Sequence, residues 1–535
     1  MPSEPLRIDA VDLPGMGSVG LTFCPGKTDP HGSAGPHHRD LGKDIRAIAE
    51  WGAEHLVTLI QPHEFSLLEV DGLGEAAEMA GLDWSWLPIP DGGIPDREFH
   101  RRWQYAGERL RRVVRKGGRV VVHCRGGLGR AGLVASQLLV ELGLEPDAAL
   151  GRIRRARPGA VETAPQETYL HALATGAVPD PTNEAFLAVL FGGAVGDALG
   201  YPVEFWSRKG IQENFGPMGI TMPRCDRQGR LVVSDDTQMT LFTLAGLLEA
   251  RAVTAGDGDA AVAGVSRAYQ AWLQTQEGTP TPVADGPIDQ LATAASMQYQ
   301  RAPGRTCLQA LRDGDDGTPE FPVNDSKGCG GVMRVAPVGL VGSWSPETAY
   351  EIGARTAALT HGHPAGYAAA GAMAALVRLL RSGQGLAESG LDVLHLLALK
   401  QEGLEVRLAL QQALERAQTS SNDPIADVVA LGEGWVAEEA LAIGVFAALR
   451  SRDYPDALRI AASHGGDSDS TASIAGQLYG AWQGLASIPH AWIRRLDVLD
   501  PLLALVASEP EKGGAGRGPS GPFDERLTAQ RPPAR

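Results

Sequence analysis

The stretch Arg119-Val120-Val121-Val122-His123-Cys124-Arg125-Gly126-Gly127-Leu128-Gly129-Arg130 decides how the front of this chain is read. Residues 119–123 carry the β-branched run of a buried strand, and residues 130–142 read as a helix closed by Gly143. Cys124 therefore falls just past a strand and just ahead of a helix. Gly126, Gly127 and Gly129 let successive backbone N–H groups turn toward an anion at the helix N-terminus. The same positive field favours a Cys124 thiolate, and the planar fork of Arg130 can grip two phosphoryl oxygens at once. A thiolate nucleophile beside a phosphate cradle points to phosphoester cleavage.

Working outward, candidate strands at residues 55–60 and 84–88 alternate with helical stretches at 40–51 and 96–115, the pattern of a central sheet flanked by helices. This α/β domain is expected over residues 1–176. Two prolines and a glycine between Thr175 and Pro181 remove helix and ladder options together, which sets a linker at 177–182. Beyond it strand signals nearly vanish. Ala/Leu-rich periodic segments at 367–381, 404–418, 438–450 and 470–483 predict an all-α domain over 183–508. Residues 509–535 are rich in Gly, Pro and Arg with few apolar side chains, so a disordered tail is expected. A multidomain chain suits 535 residues, more than one hydrophobic core organises.

A formal charge of -16 disfavours nonspecific binding to nucleic acid. Five cysteines without paired spacing argue against a disulfide framework or thiolate zinc site and fit a reducing cytoplasm. No export signal is expected from the first residues, and no window of eighteen uninterrupted apolar residues predicts a membrane span.

The rear domain carries Ser234-Asp235-Asp236-Thr237 and Asp467-Ser468-Asp469-Ser470, two hard-oxygen sets. Neighbouring carboxylates repel unless a cation lies between them, and hydroxyl and carboxylate ligands suit Mg²⁺ or Mn²⁺. Each cluster alone also reads as a helix N-cap with acidic first-turn residues. Ala472, Ala475, Gly476 and Gly480 recur at three- and four-residue steps, so a neighbouring helix can approach closely.

Through Pro88-Ile89-Pro90-Asp91-Gly92-Gly93, the cysteine loop and Arg157–Thr163, roughly the first 175 residues resemble the dual-specificity phosphatases, most closely the cyclin-dependent-kinase-associated type. The resemblance implies Cys124 as nucleophile, Arg130 as phosphate grip and Asp91 as general acid, with Asp96 in reserve and no cofactor. One departure stands out: the family has Ser or Thr after the arginine, to help the thiolate leave the phosphoenzyme, and this chain has Ala131.

The rear domain resembles the ADP-ribosylglycohydrolases through Gly192–Gly200 with Glu204, both aspartate clusters, Gly328–Arg334 and Thr360-His361-Gly362-His363-Pro364. That resemblance implies a helical bundle with two Mg²⁺ or Mn²⁺ ions held by Ser234, Asp235, Asp236, Asp467, Asp469 and Ser470. It implies Glu204 as the carboxylate that orients or deprotonates water, with Gly328, Gly330, Gly331 and His361 against the adenosine diphosphate portion. Cys329 stands where the family often has Asn, and Ser470 replaces the commoner Thr. His363 reads as a helix-start residue, and Trp206 and Trp435 as core.

The expected activity is a bifunctional hydrolase. Its rear half releases ADP-ribose from a modified protein or other acceptor, and its front half cleaves a phosphate monoester. The alternatives are a front module that binds phosphate with little turnover and a rear domain acting on a free nucleotide-like molecule. A phosphorylated ADP-ribosyl species passing between the two sites would link them. No membrane partner is expected.

Overall fold

The computed structural model describes residues 5–30, 37–173, 181–251, 256–278, 286–419 and 423–507. The 509–535 tail and most of the 177–182 linker lie outside them, and Pro181 already opens a helix.

The front domain is built on a five-stranded sheet. Its strands are β1 (Asp9–Asp12), β2 (Ser18–Phe23), β3 (Ala53–Thr58), β4 (Asp83–Trp86) and β5 (Arg119–Cys124), in the order β1-β2-β5-β3-β4. β1 runs antiparallel to β2, and the other neighbours are parallel. Valines 120, 121 and 122 on β5 are fully buried because helices cover both faces. Leu41–Glu50 and Leu73–Met79 pack with the cluster containing Val121, while Arg97–Arg115 and Gly129–Glu141 pack with the one containing Val120 and Val122. The helices start where the sequence provides caps: Asp40 accepts from Lys43 N, and Asp96 from Phe99 N, both at 2.8 Å. The reserve candidate Asp96 is thereby committed to capping.

Behind it the chain is helical, and no strand occurs among its described residues beyond isolated bridges. The Pro181–Gly200 and Ser468–Gln483 helices form the tightest pair. Their backbones meet at Gly192, Gly196, Gly200, Gly476 and Gly480, each of which faces a backbone carbonyl of the other helix. The segment Glu184–Val203 is long and apolar enough to cross a membrane, with mean hydropathy 1.5, but 89% of it is buried inside the bundle.

The two domains pack through a polar seam. His490, buried, donates from Nε2 to the Trp84 carbonyl at 2.7 Å and accepts from the Tyr105 hydroxyl at Nδ1, with its ring 5.1 Å from that of buried His55. Arg494 and Arg495 bracket Glu78, and Arg109 donates to the Ile488 carbonyl at 3.1 Å. Burial lowers the pKa of both histidines, so the seam holds neutral imidazoles.

Candidate functional sites

At the end of β5 the chain turns sharply into the Gly129–Glu141 helix, and Cys124 is buried in the turn with its Sγ accepting the Gly127 N–H at 3.1 Å. Gly127 has φ +72° and lies against β2, so a Cβ there would fall 2.6 Å from Phe23 N. Gly126 has open space around it, so its loop position does not demand glycine. The loop is tied from outside: the Arg125 carbonyl accepts from Lys27 Nζ at 3.2 Å and Cys24 N at 3.3 Å, and Arg157 donates to the Gly126 carbonyl at 3.0 Å. His123 bonds the Thr58 hydroxyl at 2.7 Å, and burial pushes its pKa down to about 3, so it is a neutral spacer under the loop.

Arg130 is almost fully buried. Its two terminal nitrogens donate to Glu64 Oε2 at 2.6 Å and Oε1 at 2.9 Å, one also to the Ile89 carbonyl at 3.2 Å, and the other lies 3.0 Å from Asp91 Oδ1. Burial disfavours both charges of the Arg130–Glu64 pair, yet the paired hydrogen bonds win: the arginine pKa rises and the glutamate pKa falls. Arg130 Nε remains buried without a partner, a donor available to a phosphoryl oxygen. Asp91 is 73% exposed at the rim, on a loop held by Thr163 Oγ1 to the Gly92 carbonyl at 3.3 Å and Gln166 Nε2 to the Gly93 carbonyl at 3.0 Å. Sequence reading missed Glu64, whose partner lies far along the chain. Ala131 is fully buried in the first turn of the helix.

The rear site is a cleft of about 160 Å³ into which three separate segments project acids. Asp235 and Asp236 open one helix, Asp467 and Asp469 open another, and Glu204 follows the Tyr201–Val203 turn. Ligand oxygens of Glu204, Asp467 and Asp469 lie within 4.8 Å of one another. Burial, then Asp467, pushes the Glu204 carboxyl up to about 8. Burial likewise raises Asp235 to about 8 against the Gly304 N–H, which donates to it at 3.2 Å. Burial and then Asp235 drive Asp236 well above the carboxylate range. Glu204 Oε2 and Asp236 Oδ2 are buried without a hydrogen-bond partner. A buried, orphaned set of carboxylate oxygens suits hard divalent cations.

Behind this shell stands Asp197, a fully buried residue that sequence reading left without a role. Its carboxylate accepts from Ser234 N at 2.8 and 3.0 Å and from Thr237 N at 3.1 Å, and so caps the Asp235–Glu249 helix from below. Ser234 does not line the cleft: its Oγ accepts from Asp236 N at 3.2 Å as the N-cap. Ser470 does line it, with its Oγ 3.6 Å from Cys329 Sγ.

Gly328 and Gly330 border the cleft, whereas Gly331 packs against Ala357, where a Cβ would come within 2.8 Å. His361 lines the cleft beside them. Burial and then Arg334 lower its pKa to about 3, and the Thr360 hydroxyl, accepting from Arg334 at 2.7 Å, donates to His361 Nδ1 at 2.9 Å. That assignment leaves the ring proton on Nε2, next to Gly328. His363 caps the Pro364–Arg381 helix, accepting from Ala365 N at 3.1 Å. Trp206 packs on Phe215 beside the core as expected, but Trp435 does not sit in the core. It is 39% exposed, lines the cleft and stacks on exposed Phe205 with ring centroids 5.8 Å apart.

Residues 179–515 match the family model for ADP-ribosylglycohydrolase, and residues 33–187 match that for the Swiss Army Knife protein, DSP-PTPase phosphatase domain. The front is 32% identical over 136 residues to Cyclin-dependent kinase inhibitor 3 of Rattus norvegicus, covering 25% of this chain and 63% of the relative. The chain thus spans less than two thirds of that relative's length. The rear is 25% identical over 336 residues to ADP-ribosyl-[dinitrogen reductase] glycohydrolase of Rhodospirillum rubrum, covering 61% of this chain and 97% of the relative. A solved structure of kinase associated phosphatase is similar to 33% of this chain and 99% of its own, at 27% identity and TM-score 0.29. With its larger part matched in this way and a DSP-PTPase phosphatase domain ahead of it, the chain belongs to the ADP-ribosylglycohydrolase family.

Proposed function

We propose that the chain is a bifunctional hydrolase whose rear cleft cleaves the glycosidic bond of an ADP-ribosyl group and whose front loop cleaves a phosphate monoester. The observation that carries the rear assignment is the convergence of Asp235, Asp236, Asp467, Asp469 and Glu204 on one cleft, with Glu204 Oε2 and Asp236 Oδ2 unpartnered. Asp235, Asp236, Asp467, Asp469 and Ser470 would hold a pair of Mg²⁺ or Mn²⁺ ions, which when bound supply a grip on the ribose hydroxyls and polarise water. Glu204 accepts the proton of the attacking water as the anomeric bond breaks with its electron pair on the acceptor. The carboxylates around the ribose stabilise the positive charge that develops there. Arg305 on the cleft wall and the Nε2–H of His361 offer the diphosphate its donors.

In the front domain, Cys124 Sγ attacks phosphorus while Arg130 holds the phosphoryl oxygens. The P–O bond breaks, and Asp91 delivers a proton to the leaving oxygen. Water then attacks the phosphocysteine with Asp91 as base. Ala131 favours a second reading of this half as a slow, phosphate-holding module, because no hydroxyl stands in the first turn to ease departure of the thiolate.

The test is release of ADP-ribose from arginine- and serine-linked substrates, with and without chelator, alongside turnover of an aryl phosphate. Loss of release with chelator and in Asp467→Ala, and loss of turnover in Cys124→Ser, are expected. Release untouched by both chelator and Asp467→Ala overturns the rear assignment. A phosphoenzyme that forms but does not turn over converts the front assignment to the second reading.

A further inference from the structure

Cys329 stands at the floor of the rear cleft, where its Sγ donates to Asp467 Oδ2 at 2.7 Å and lies 3.6 Å from Ser470 Oγ. A thiol bonded directly to a candidate metal-binding carboxylate is a different chemical object from the amide that the resemblance leads one to expect there. Beside it, Asp236 Oδ2 is buried and lacks any partner. We infer that Cys329 is itself a ligand for a softer cation: the cleft contains a mixed sulfur and oxygen site, Cys329 Sγ with Asp467 and Ser470, that takes Zn²⁺, Cd²⁺ or Co²⁺ through the thiolate. This inference rests on the metal reading of the cleft and narrows it.

Chemically, the incoming cation displaces the S–H proton to solvent, and a metal–sulfur bond replaces the hydrogen bond to Asp467. With zinc–sulfur near 2.3 Å and zinc–oxygen near 2.0 Å at a tetrahedral angle, the two ligand atoms would stand about 3.5 Å apart. The present 2.7 Å separation therefore has to open by less than about 1 Å, within reach of a side-chain adjustment on the short Cys329–Gly331 turn. Thiolate ligands favour zinc-like ions over Mg²⁺ or Mn²⁺, whereas an all-oxygen site does not. The substitution of Cys for Asn thus shifts which ion holds the site when several compete.

The experiment uses the full chain carrying Cys124→Ser and Cys225→Ser, so that neither the nucleophile nor the exposed thiol competes for the probe. Cd²⁺ and Co²⁺ are titrated while sulfur-to-metal charge-transfer absorption is followed, and Mn²⁺ binding is measured separately by electron paramagnetic resonance. The expected result is a saturating sulfur–metal band that disappears on adding Cys329→Asn or Cys329→Ser. Cd²⁺ affinity should then fall tenfold or more while Mn²⁺ affinity changes less than about threefold, with melting confirming that both variants fold. Mn²⁺ binding without any sulfur–metal band, or a band that survives both substitutions, overturns the inference and leaves the oxygen site standing. Failure of the parent to bind Mn²⁺ at all overturns the metal reading as well.

Discussion

Gly476→Ala should destabilise the rear domain strongly, at a position where glycine-to-alanine inside a helix ordinarily stabilises by about 1 kcal/mol. The Ser468–Gln483 helix presses Gly476 directly onto the backbone of the Pro181–Gly200 helix. An added Cβ would lie 2.7 Å from the Gly192 carbonyl carbon and closer still to its oxygen. Non-bonded carbons rest at roughly 3.5 Å or more, so the helices must part by about 0.8 Å at this crossing. The obstacle is main chain, which cannot rotate aside as a side chain would. Overpacking of this kind costs about 1–3 kcal/mol, and the rigid wall puts the expected value near the upper end, about 100-fold in the folding equilibrium. The same two helices carry Asp197, Asp467 and Asp469, so a displacement approaching 1 Å should also cost up to about 100-fold in glycohydrolase rate. The assay is urea denaturation with Gly385→Ala as control, since that glycine has nothing within 4 Å of its added Cβ. A Gly476→Ala midpoint equal to or above the parent's, with unchanged release of ADP-ribose, would refute the close-packed reading of this helix pair.

In the front domain, Ala131→Ser should speed breakdown of the phosphocysteine by roughly tenfold or more, the value of one hydrogen bond to a departing thiolate. Steady-state turnover and burst amplitude on an aryl phosphate check it, and an unchanged burst with unchanged turnover refutes it. Glu64→Gln leaves buried Arg130 with only the exposed Asp91 as a charged partner, so stability should drop by up to about 3 kcal/mol and KM for phosphate esters should rise. Denaturant midpoint and KM read the two effects separately, and no change in either sinks the role of the pair. His490 and His55 have lowered pKa values in the folded seam, whereas an unfolded histidine takes a proton near 6.5. The unfolded state therefore binds the extra proton as pH falls through about 6.5. The stability advantage of the parent over His490→Gln should be full above that pH and shrink by up to about 1.4 kcal/mol per unit below it. Denaturant midpoints of both proteins at pH 7.5 and 5.5 test this, and an advantage that grows on acidification contradicts it.

How much of this was legible in the sequence depends on the range of the interaction that decides each feature. Helix ends were readable wherever a local cap exists: Asp40, Asp96 and Gly143 mark boundaries within a residue or two of those observed. The strand into Cys124 was readable because a run of valines needs two covered faces. β1 was not, because Asp9 and Asp12 make its four residues look like a polar leader until they pair along β2. Glu64 accepts locally from Gln61 N at 2.7 Å as a helix cap, but its pairing with Arg130, 66 residues further along, leaves no local signal. Asp197 stood inside a quoted motif, yet only the fold shows that its carboxylate serves the backbone under Asp235 and Asp236. Trp435 was expected in the core on hydrophobicity alone. Its exposure follows from the mouth of the cleft, a feature made by segments far apart in the chain.

The seam between the domains bears on whether one substrate passes from one site to the other. Asp467 and Asp469 lie at the N-terminal end of the Ser468–Gln483 helix, and the front domain docks beyond its C-terminal end, through Ile488, His490, Arg494 and Arg495. Sixteen residues of α-helix span about 24 Å on that side, while on the other Leu231 N donates to the carbonyl of the seam residue Arg495 at 2.8 Å, only three residues ahead of Ser234. Cys124 in turn sits on β5, two strands in from the edge strand β4 that meets His490. The seam encloses a small cavity of about 90 Å³ lined by Trp84, Arg102, Tyr105, His490, Leu499 and Leu503, and Arg102 Nε and His55 Nδ1 are buried there without hydrogen-bond partners. Under the proposed function, fusion in one chain would raise the local concentration of the second activity around the first.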